Sequence, residues 1–354
     1  MTPYHRLARE TPEYAWWKLP VAGFLAVVGY FFVSGALILV AFLLMYAVGL
    51  DGADRITEWF DDAGSINVDR PEFFALDMLG LAVMIPVLLV AVLVTGPRPI
   101  GYLTSVTGRM RWSWLGHTSV LAVIVFGGGI GGLVALSYWI DPDSVQSPSP
   151  FDGKVLLMLV LVLALTPFQA AAEEYVFRGY LLQLVGSWTR FAWIPVVVSV
   201  PIFASGHEYN LWGLVDVGLF GLMAAFLVIR TGGLEAGIAA HAFNNIAILV
   251  FEALGMLSDS SGGGPLDLIP TVVMNVLFIA LVERSVRRRG IVRTRPPIPA
   301  PPPPPMWFPP APVNAPVFAP AFAPAYQPPP EWVPPPNTPP YPGYLPPGWR
   351  PPRH

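Results

Sequence analysis

The chain contains no cysteine, and only 12% of its 354 residues are charged. The absence of cysteine excludes disulfide bonds, cysteine-ligated metals and a cysteine nucleophile. The scarcity of charge, with 54% hydrophobic residues and a mean hydropathy of +0.56, excludes an ordinary soluble domain. We therefore predict a polytopic membrane protein.

Other absences narrow the function. The chain has no G-x-S-x-G sequence, so a hydrolase mechanism with a serine nucleophile is not indicated. It also has no HExxH zinc motif. The arginine run at 284–295 is most simply a cytoplasmic anchor beside anionic membrane lipid, and nucleic acid is not predicted as a partner. The first apolar run is much longer than the ~7–15 residues of a signal peptide, so no cleavable signal is expected.

The apolar runs predict an all-α transmembrane bundle of about eight helices, because each run approaches the ~20 residues needed to cross a bilayer. The fourth run is too long for one straight crossing and contains Pro167, which predicts a kink and leaves Glu173 on a tilted continuation or a separate half-helix. The predicted spans are 20–49, 74–95, 114–138, 155–185, 191–207, 211–230, 234–256 and 267–283.

The distribution of charge predicts the orientation. Acidic residues dominate the loops at 51–73 and 139–154, whereas arginines follow the second, fourth, sixth and eighth spans. Because cytoplasmic loops carry the excess of lysine and arginine, both termini are predicted to be cytoplasmic, in an integral protein of the plasma membrane.

The composition changes abruptly at Pro296. The proline density of 296–354 excludes packed helix or sheet, so this segment is predicted to be a disordered, polyproline-rich tail. It could bind a proline-recognising partner or act only as a spacer. The expected divisions are a cytoplasmic segment 1–19, N-terminal transmembrane helices 20–153, a catalytic core 154–256, a last helix with its basic anchor 257–295, and the tail 296–354.

Three polar clusters interrupt the apolar helices. They are Glu173-Glu174-Tyr175-Val176-Phe177-Arg178, Phe203-Ala204-Ser205-Gly206-His207 and His241-Ala242-Phe243-Asn244-Asn245. Ionisable groups at membrane depth cost several kcal/mol each unless they are paired or hydrated, so together the clusters indicate a functional site.

Helical geometry separates the two glutamates of the first cluster. Glu174 and Arg178 are spaced i,i+4 with the acid first, so they can neutralise each other. Glu173 points about 100° away, which predicts an unpaired carboxylate facing a cavity and suited to general-base work. Alternatively, both glutamates pair with arginines and only lock helices together.

The two histidine clusters are individually ambiguous. His207 alone could be an ordinary residue at a helix end. His241 and Asn245 share one face and could hold an oxyanion, but they could equally be polar contacts between helices. At 1.5 Å per residue, the three clusters meet near mid-membrane only if the Glu208–Asn210 turn lies below the outer surface.

The clusters together resemble a known family. EExxxR, FxxxH and HxxxN in this order are similar to the signature of the CPBP (Abi) intramembrane proteases, which include CAAX prenyl endopeptidases of type II and bacteriocin-processing proteins. Here they are Glu173-Glu174 with Arg178, Phe203 with His207, and His241 with Asn245, and the resemblance covers residues 155–253. The turn Arg230–Gly233 is also similar.

The resemblance implies a role for each residue. Glu173 and His207 would activate a water, His241 and Asn245 would hold the oxyanion, and Glu174 and Arg178 would support the architecture. The resemblance also implies a metalloprotease, with Glu173, His207 and His241 as ligands of zinc or another divalent ion. The sequence is compatible with a metal and with a water activated by glutamate alone.

We therefore predict an intramembrane endopeptidase that hydrolyses a peptide bond of a membrane-associated or lipidated substrate. A proton-coupled transporter also places Glu, His and Arg at mid-membrane, and would predict inverted repeats, which we do not find. A non-catalytic scaffold acting through the proline-rich tail would tolerate the loss of Glu173.

Overall fold

Long apolar helices dominate the structure, a computed structural model that describes residues 1–49, 52–62, 66–140, 148–257 and 263–296. Within these residues seven helices are long and apolar enough to cross a membrane, as expected for a polytopic bundle. They are Lys18–Ala47, Pro71–Thr95, Trp112–Ile140, Gly153–Gly186, Leu211–Thr231, Glu235–Ala253 and Pro265–Arg289. Beyond Pro296 the predicted proline-rich tail lies outside the described residues, as do the acidic positions between 141 and 147.

The spans are built from twelve α-helical segments in the described part of the chain. Large apolar side chains such as Phe24, Phe31 and Phe32 face outward, as a lipid surface requires. The segments are α1 (Lys18–Ala47), α2 (Gly52–Asp62), α3 (Pro71–Ala82), α4 (Met84–Thr95), α5 (Trp112–Ala122), α6 (Gly128–Ile140), α7 (Gly153–Glu173), α8 (Leu182–Gly186), α9 (Trp193–Ala204), α10 (Leu211–Thr231), α11 (Glu235–Ala253) and α12 (Leu268–Arg289).

The fourth span is one continuous helix. Asp152 caps its start by accepting hydrogen bonds from the backbone N–H groups of Lys154 and Val155, which also hold the pKa of Asp152 below its usual value. The helix continues through Pro167, so the alternative of a separate half-helix for Glu173 is wrong. Regular α-helical bonding is interrupted only at Glu174–Leu181, a π-helical segment between α7 and α8.

The fifth apolar element is short. Helix α9 has 12 residues and is ~18 Å long, well below the ~30 Å of a hydrocarbon core. It ends at Ala204, and the chain turns through residues 205–210 before α10 begins at Leu211. Because α9 is too short to cross, this turn can lie at membrane depth, as the convergence of the three clusters requires.

One end of the bundle gathers the N-terminal segment, the loops after α4, α8 and α10, and the segment after α12. Strand β1 (Thr2–Pro3) pairs antiparallel with β2 (Thr294–Arg295). The chain around Ser105 bridges to Gly233, and Arg9 donates a hydrogen bond to the carbonyl of Ser187. These segments therefore share one end of the molecule, as the charge pattern predicts.

The N-terminal segment is part of the folded core. Tyr4 is fully buried, and its hydroxyl donates a hydrogen bond to the carbonyl of Leu103. The fully buried side chain of Gln183 accepts a hydrogen bond from the backbone of Ala8 and donates to the carbonyls of Tyr4 and Tyr102. The segment predicted as a separate N-terminal piece thus packs between the loop after the second span and the end of the fourth span.

A buried ion pair fixes the start of α11, the helix that carries His241. Glu235 is fully buried and accepts from the backbone N–H, Nε and Nη2 of Arg111, at 2.6–2.9 Å. Arg111 also donates to the carbonyls of Thr231 and Val292. Arg111 was counted in the sequence only as part of a cytoplasmic charge excess, whereas it ties α5, α11 and the segment after α12 together.

Ending the chain after Arg295 is expected to leave its thermal stability unchanged, because β2 and the hydrogen bond from Arg295 Nε to the carbonyl of Val106 are retained. Ending it after Val292 removes both contacts and should lower the stability by about 1–3 kcal/mol. The thermal midpoints of the two detergent-purified truncations measure this difference. Equal midpoints would show that β1–β2 pairing contributes nothing.

Candidate active site

The centre of the site is a buried ion pair. Glu174 and Arg178 are fully buried, and Arg178 Nη1 lies 2.9 Å from Glu174 Oε1, as the i,i+4 spacing predicts. The same carboxylate oxygen lies 3.0 Å from Nδ1 of His241 on α11. Glu174 therefore binds both the arginine of its own helix and the histidine of the opposite helix.

Glu173 occupies the other side of the same histidine. Its Oε1 accepts a hydrogen bond from Nε2 of Gln169 at 2.8 Å, and its Oε2 lies 3.4 Å from Nε2 of His241. Oε2 is buried and has no hydrogen-bond partner within the described residues. Glu173 was expected to be left unpaired; no arginine of the described residues pairs with it, but Gln169 binds one of its two oxygens.

Both glutamates face His241 although they are adjacent in sequence. In a regular helix the side chains of adjacent residues point about 100° apart. The His241 ring can approach both because it faces Glu174 with Nδ1 and Glu173 with Nε2. Glu173 is the last residue of α7, and Glu174 is the first residue of the π-helical segment. Such π-helical turns are frequent at functional sites, where they change the direction of side chains.

Phe203 joins the second cluster to the other two. Its ring lies 4.0 Å from the guanidinium carbon of Arg178, an orientation that stabilises the cation. It also contacts the rings of His207 and His241 edge-on, with centroid distances of 5.1 and 5.8 Å. Gly221 of α10 allows this packing, because a Cβ there would lie 3.1 Å from both Arg178 Nη2 and Phe203 Cδ1.

His207 lies on the turn after α9 and is only partly buried. Its Nδ1 is 3.1 Å from the carbonyl oxygen of Phe203, and its ring also approaches Tyr209. Within the described residues, no hydrogen bond or ion pair joins His207 to Glu173. The structure thus brings His207 to the Phe203 side of the site, and brings His241 directly to the two glutamates.

Asn245 approaches Glu173 indirectly. Its Nδ2 donates to Oε1 of Gln169 at 3.3 Å, and its Oδ1 accepts from Asn244 at the same distance. Gln169 therefore connects Asn245 on α11 with Glu173 on α7. The sequence analysis missed Gln169, although it is a polar residue one helical turn before Glu173 in an otherwise apolar run.

The hydrogen-bond partners define the tautomers of both histidines. The carbonyl of Phe203 and the ion-paired carboxylate of Glu174 can only accept, so Nδ1 donates in each ring. In a neutral imidazole, Nε2 then carries the lone pair. In that neutral form Nε2 of His241 lies 3.4 Å from Glu173 Oε2 as a second acceptor, and one water molecule that donates a hydrogen bond to each would join the two.

The metal implied by the family resemblance was tested against this arrangement. Histidines that donate through Nδ1 suit metal ligation through Nε2, so the chemistry of the residues is appropriate. However, the described residues include no group of three His, Asp or Glu side chains that could hold an ion, and Glu173, His207 and His241 are not brought together as one. As placed, they do not fit a metal site, and the mechanism is derived without one.

The segment that carries the site matches a known family. Residues 154–247 match the model of the Type II CAAX prenyl endopeptidase Rce1-like family. The resemblance predicted from the three clusters is thereby confirmed for this segment. With its apolar spans, the match indicates a membrane protein in which residues 154–247 resemble the CAAX-type intramembrane proteases.

The chain is also similar to an uncharacterized protein, YyaK, of Bacillus subtilis (strain 168). It is 25% identical to the chain over 200 residues, which cover 52% of this chain and 66% of YyaK, just under two thirds of its length. No solved structure matches the chain.

Proposed function

We propose that the chain is an intramembrane endopeptidase in which Glu173 activates the hydrolytic water. The observation that carries this proposal is the unpartnered, buried Oε2 of Glu173 beside Nε2 of His241. A carboxylate oxygen and an imidazole lone pair that face one point can orient a water and remove its proton. The hydroxide formed in this way attacks the carbonyl carbon of the scissile peptide bond.

The proton then crosses to the leaving group. Glu173 takes it from the water as the C–O bond forms, and returns it to the amide nitrogen as the C–N bond breaks. Glu174 holds the His241 ring in the tautomer that keeps Nε2 as an acceptor. Because that nitrogen cannot donate, we assign the oxyanion to the second N–H of Asn245 and place His241 with the water.

His207 retains a supporting role in the proposal. Its Nδ1 is anchored on the carbonyl of Phe203, so its Nε2 is also an acceptor, as expected of a residue that helps to hold the water. Zinc or another divalent ion bound by Glu173, His207 and His241 stays a prediction; a bound ion would polarise the water and the scissile carbonyl.

A membrane-associated or lipidated peptide is the proposed substrate. The match of residues 154–247 to a prenyl endopeptidase family and the apolar spans around the site support this proposal. An apolar groove of about 270 Å³ lies between α11 and the third span, on the face of α11 that is turned away from His241 and Asn245, so it is not the route to these residues. The lining residues are Val123, Gly127, Phe243, Ile246, Ala247, Val250 and Phe251.

The test is cleavage by the purified protein in liposomes. A transmembrane peptide, a prenylated peptide and an unmodified soluble peptide would be incubated with it in H₂¹⁸O, and the products analysed by mass spectrometry. We expect cleavage of a membrane-bound peptide with one ¹⁸O atom in the new carboxyl group. Absence of cleavage in all three, together with proton-driven uptake of a solute, would contradict the proposal and favour a transporter.

The same assay separates the two routes to an activated water. Turnover that persists after chelation supports Glu173 acting alone. Turnover that is lost on chelation and returns with one divalent ion shows that the ion takes part in activating the water. Either result leaves the endopeptidase proposal intact.

We also propose the plasma membrane as the location, with both termini in the cytoplasm. The N-terminal segment and residues 294–296 share one end of the bundle, and arginines predominate in the loops there. Reporters inserted at Asp61–Asp62 and fused after Pro296 should therefore report opposite sides of the membrane. The same side for both would contradict this topology.

The proline-rich tail is proposed to select partners rather than to take part in the chemistry. It follows the β2 strand, which completes the contacts of the N-terminal segment. A chain that ends at Arg295 should cleave a short model peptide at the wild-type rate, although its choice of protein substrates could change through loss of a proline-recognising partner. Loss of peptide turnover in a well-folded truncation would show that the tail controls the site.

A further inference from the structure

Gln169 is a buried polar residue to which the three sequence clusters assign no role. It lies on α7 one turn before Glu173 and is 5% exposed. Its side-chain amide makes two contacts, with Glu173 on its own helix at 2.8 Å and with Asn245 on α11 at 3.3 Å. It therefore lies between the proposed base and the proposed oxyanion donor.

The chemistry of its neighbours fixes the orientation of this amide. A carboxylate accepts only, so the NH₂ group of Gln169 must face Glu173 Oε1. The carbonyl oxygen must then face Asn245, which has to donate through Nδ2. The flipped amide would place two acceptors against each other, so the chemistry of the two partners fixes this orientation.

The geometry points to Gln169 as the positioning residue that holds the base and the oxyanion donor at a fixed separation, an inference that rests on the proposed function. By occupying Oε1 of Glu173, Gln169 leaves Oε2 as the oxygen that faces His241 and the water. By accepting one N–H of Asn245, it leaves the other N–H for the oxyanion. The side-chain amide of Gln169 thus positions both Glu173 and Asn245, which must act on opposite sides of one scissile carbonyl.

Glutamine at this depth could instead serve only to hold helices together, as polar residues do in membranes. Gln183, about four turns later in the same span, provides the matched control. It is also fully buried and makes three hydrogen bonds, but all are to the backbone of the N-terminal segment and of the loop after the second span. Gln183→Met removes a structural amide of the same kind without touching the site.

The test compares Gln169→Met with Gln183→Met in peptide turnover and thermal midpoint. Methionine has nearly the same length as glutamine but cannot donate or accept in this way. Gln169→Met should lower kcat about 10–100-fold, the usual effect of losing a residue that orients a reacting group, with little change in KM. Gln183→Met should lower the midpoint and leave kcat per folded molecule unchanged.

A double-mutant cycle with Asn245→Ala provides the second readout. If one amide positions both groups, Gln169→Met should lower kcat less in the Asn245→Ala background than in the wild type. Should Gln169→Met fail to fold, Gln169→Asn replaces it, because that amide is one methylene too short to reach both partners.

An unchanged kcat in a folded Gln169 variant, or fully additive effects with Asn245→Ala, would overturn the inference. Neither result would affect the proposed function, which fails separately if Glu173→Gln retains turnover. Loss of kcat in Gln169→Met that matches the loss in Gln183→Met would also reduce Gln169 to a structural role.

Discussion

Glu174→Gln is expected to lower the stability of the folded protein by about 3–5 kcal/mol, the usual cost of removing one partner of a buried ion pair. The Arg178 guanidinium is fully buried, and its Nε and Nη2 already lack hydrogen-bond partners within the described residues. Glutamine removes the counter-charge that binds this cation directly, and leaves the ring of Phe203 and the more distant Glu173 carboxylate to stabilise it. The midpoint of denaturant unfolding in detergent micelles measures the effect.

The control for Glu174→Gln is Asp69→Asn. Asp69 also binds a cation, Lys154, but the side chains of Asp69 and Lys154 are 67% and 62% exposed. Exposed pairs contribute little to stability, so the midpoint should move little. Equal midpoints for the two variants would mean that Arg178 finds another partner and that the central ion pair is not a structural requirement.

Gly237→Ala is expected to lower turnover strongly although it adds only one methyl group. A Cβ at Gly237 would lie 2.7 Å from Glu174 Oε2 and 3.3 Å from Val228 Cγ2, closer than side-chain contacts allow. Gly237 is one turn before His241, so α11 cannot move away without moving the histidine. We expect a loss of kcat of about 10–100-fold, because Glu174 would no longer hold the His241 ring in place.

Gly218→Ala is the control for this steric effect. Gly218 is also in the interior of a transmembrane helix, α10, but a Cβ there would meet no atom within 4 Å. Replacing glycine by alanine in a helix is otherwise neutral to stabilising, so Gly218→Ala should retain turnover and stability. Wild-type turnover in Gly237→Ala would show that Glu174 has room to shift and that its contact with His241 is not needed.

The helices were predictable because hydrophobic runs have a length that the bilayer fixes. The pair Glu174–Arg178 was predictable for a similar reason, since i,i+4 spacing on a helix determines which side chains meet. The continuity of the fourth span through Pro167 could not be predicted from the sequence, because neighbouring helices can support a proline that a local rule treats as a break. The spacing of residues therefore predicts contacts within a helix better than it predicts whether a long helix is continuous.

Contacts between helices set the limit of the sequence analysis. Nothing in the spacing of Glu173, Glu174 and His241 indicates that one imidazole meets both carboxylates, since this depends on how α7 and α11 pack. Gln169 could have been noticed from its spacing to Glu173, but its second contact, with Asn245, could not. The burial of Arg111 with Glu235 likewise joins residues 124 positions apart.

The central claim is that Glu173 activates the water, and the direct measurement is kcat of Glu173→Gln in liposomes at equal amounts of folded protein. Glutamine keeps the shape of the side chain and can still contact Gln169, so the fold should persist. Because general-base catalysis contributes about 10²–10⁴-fold, we expect turnover to fall by that factor while the thermal midpoint stays near that of the wild type. Wild-type turnover in folded Glu173→Gln would contradict the account.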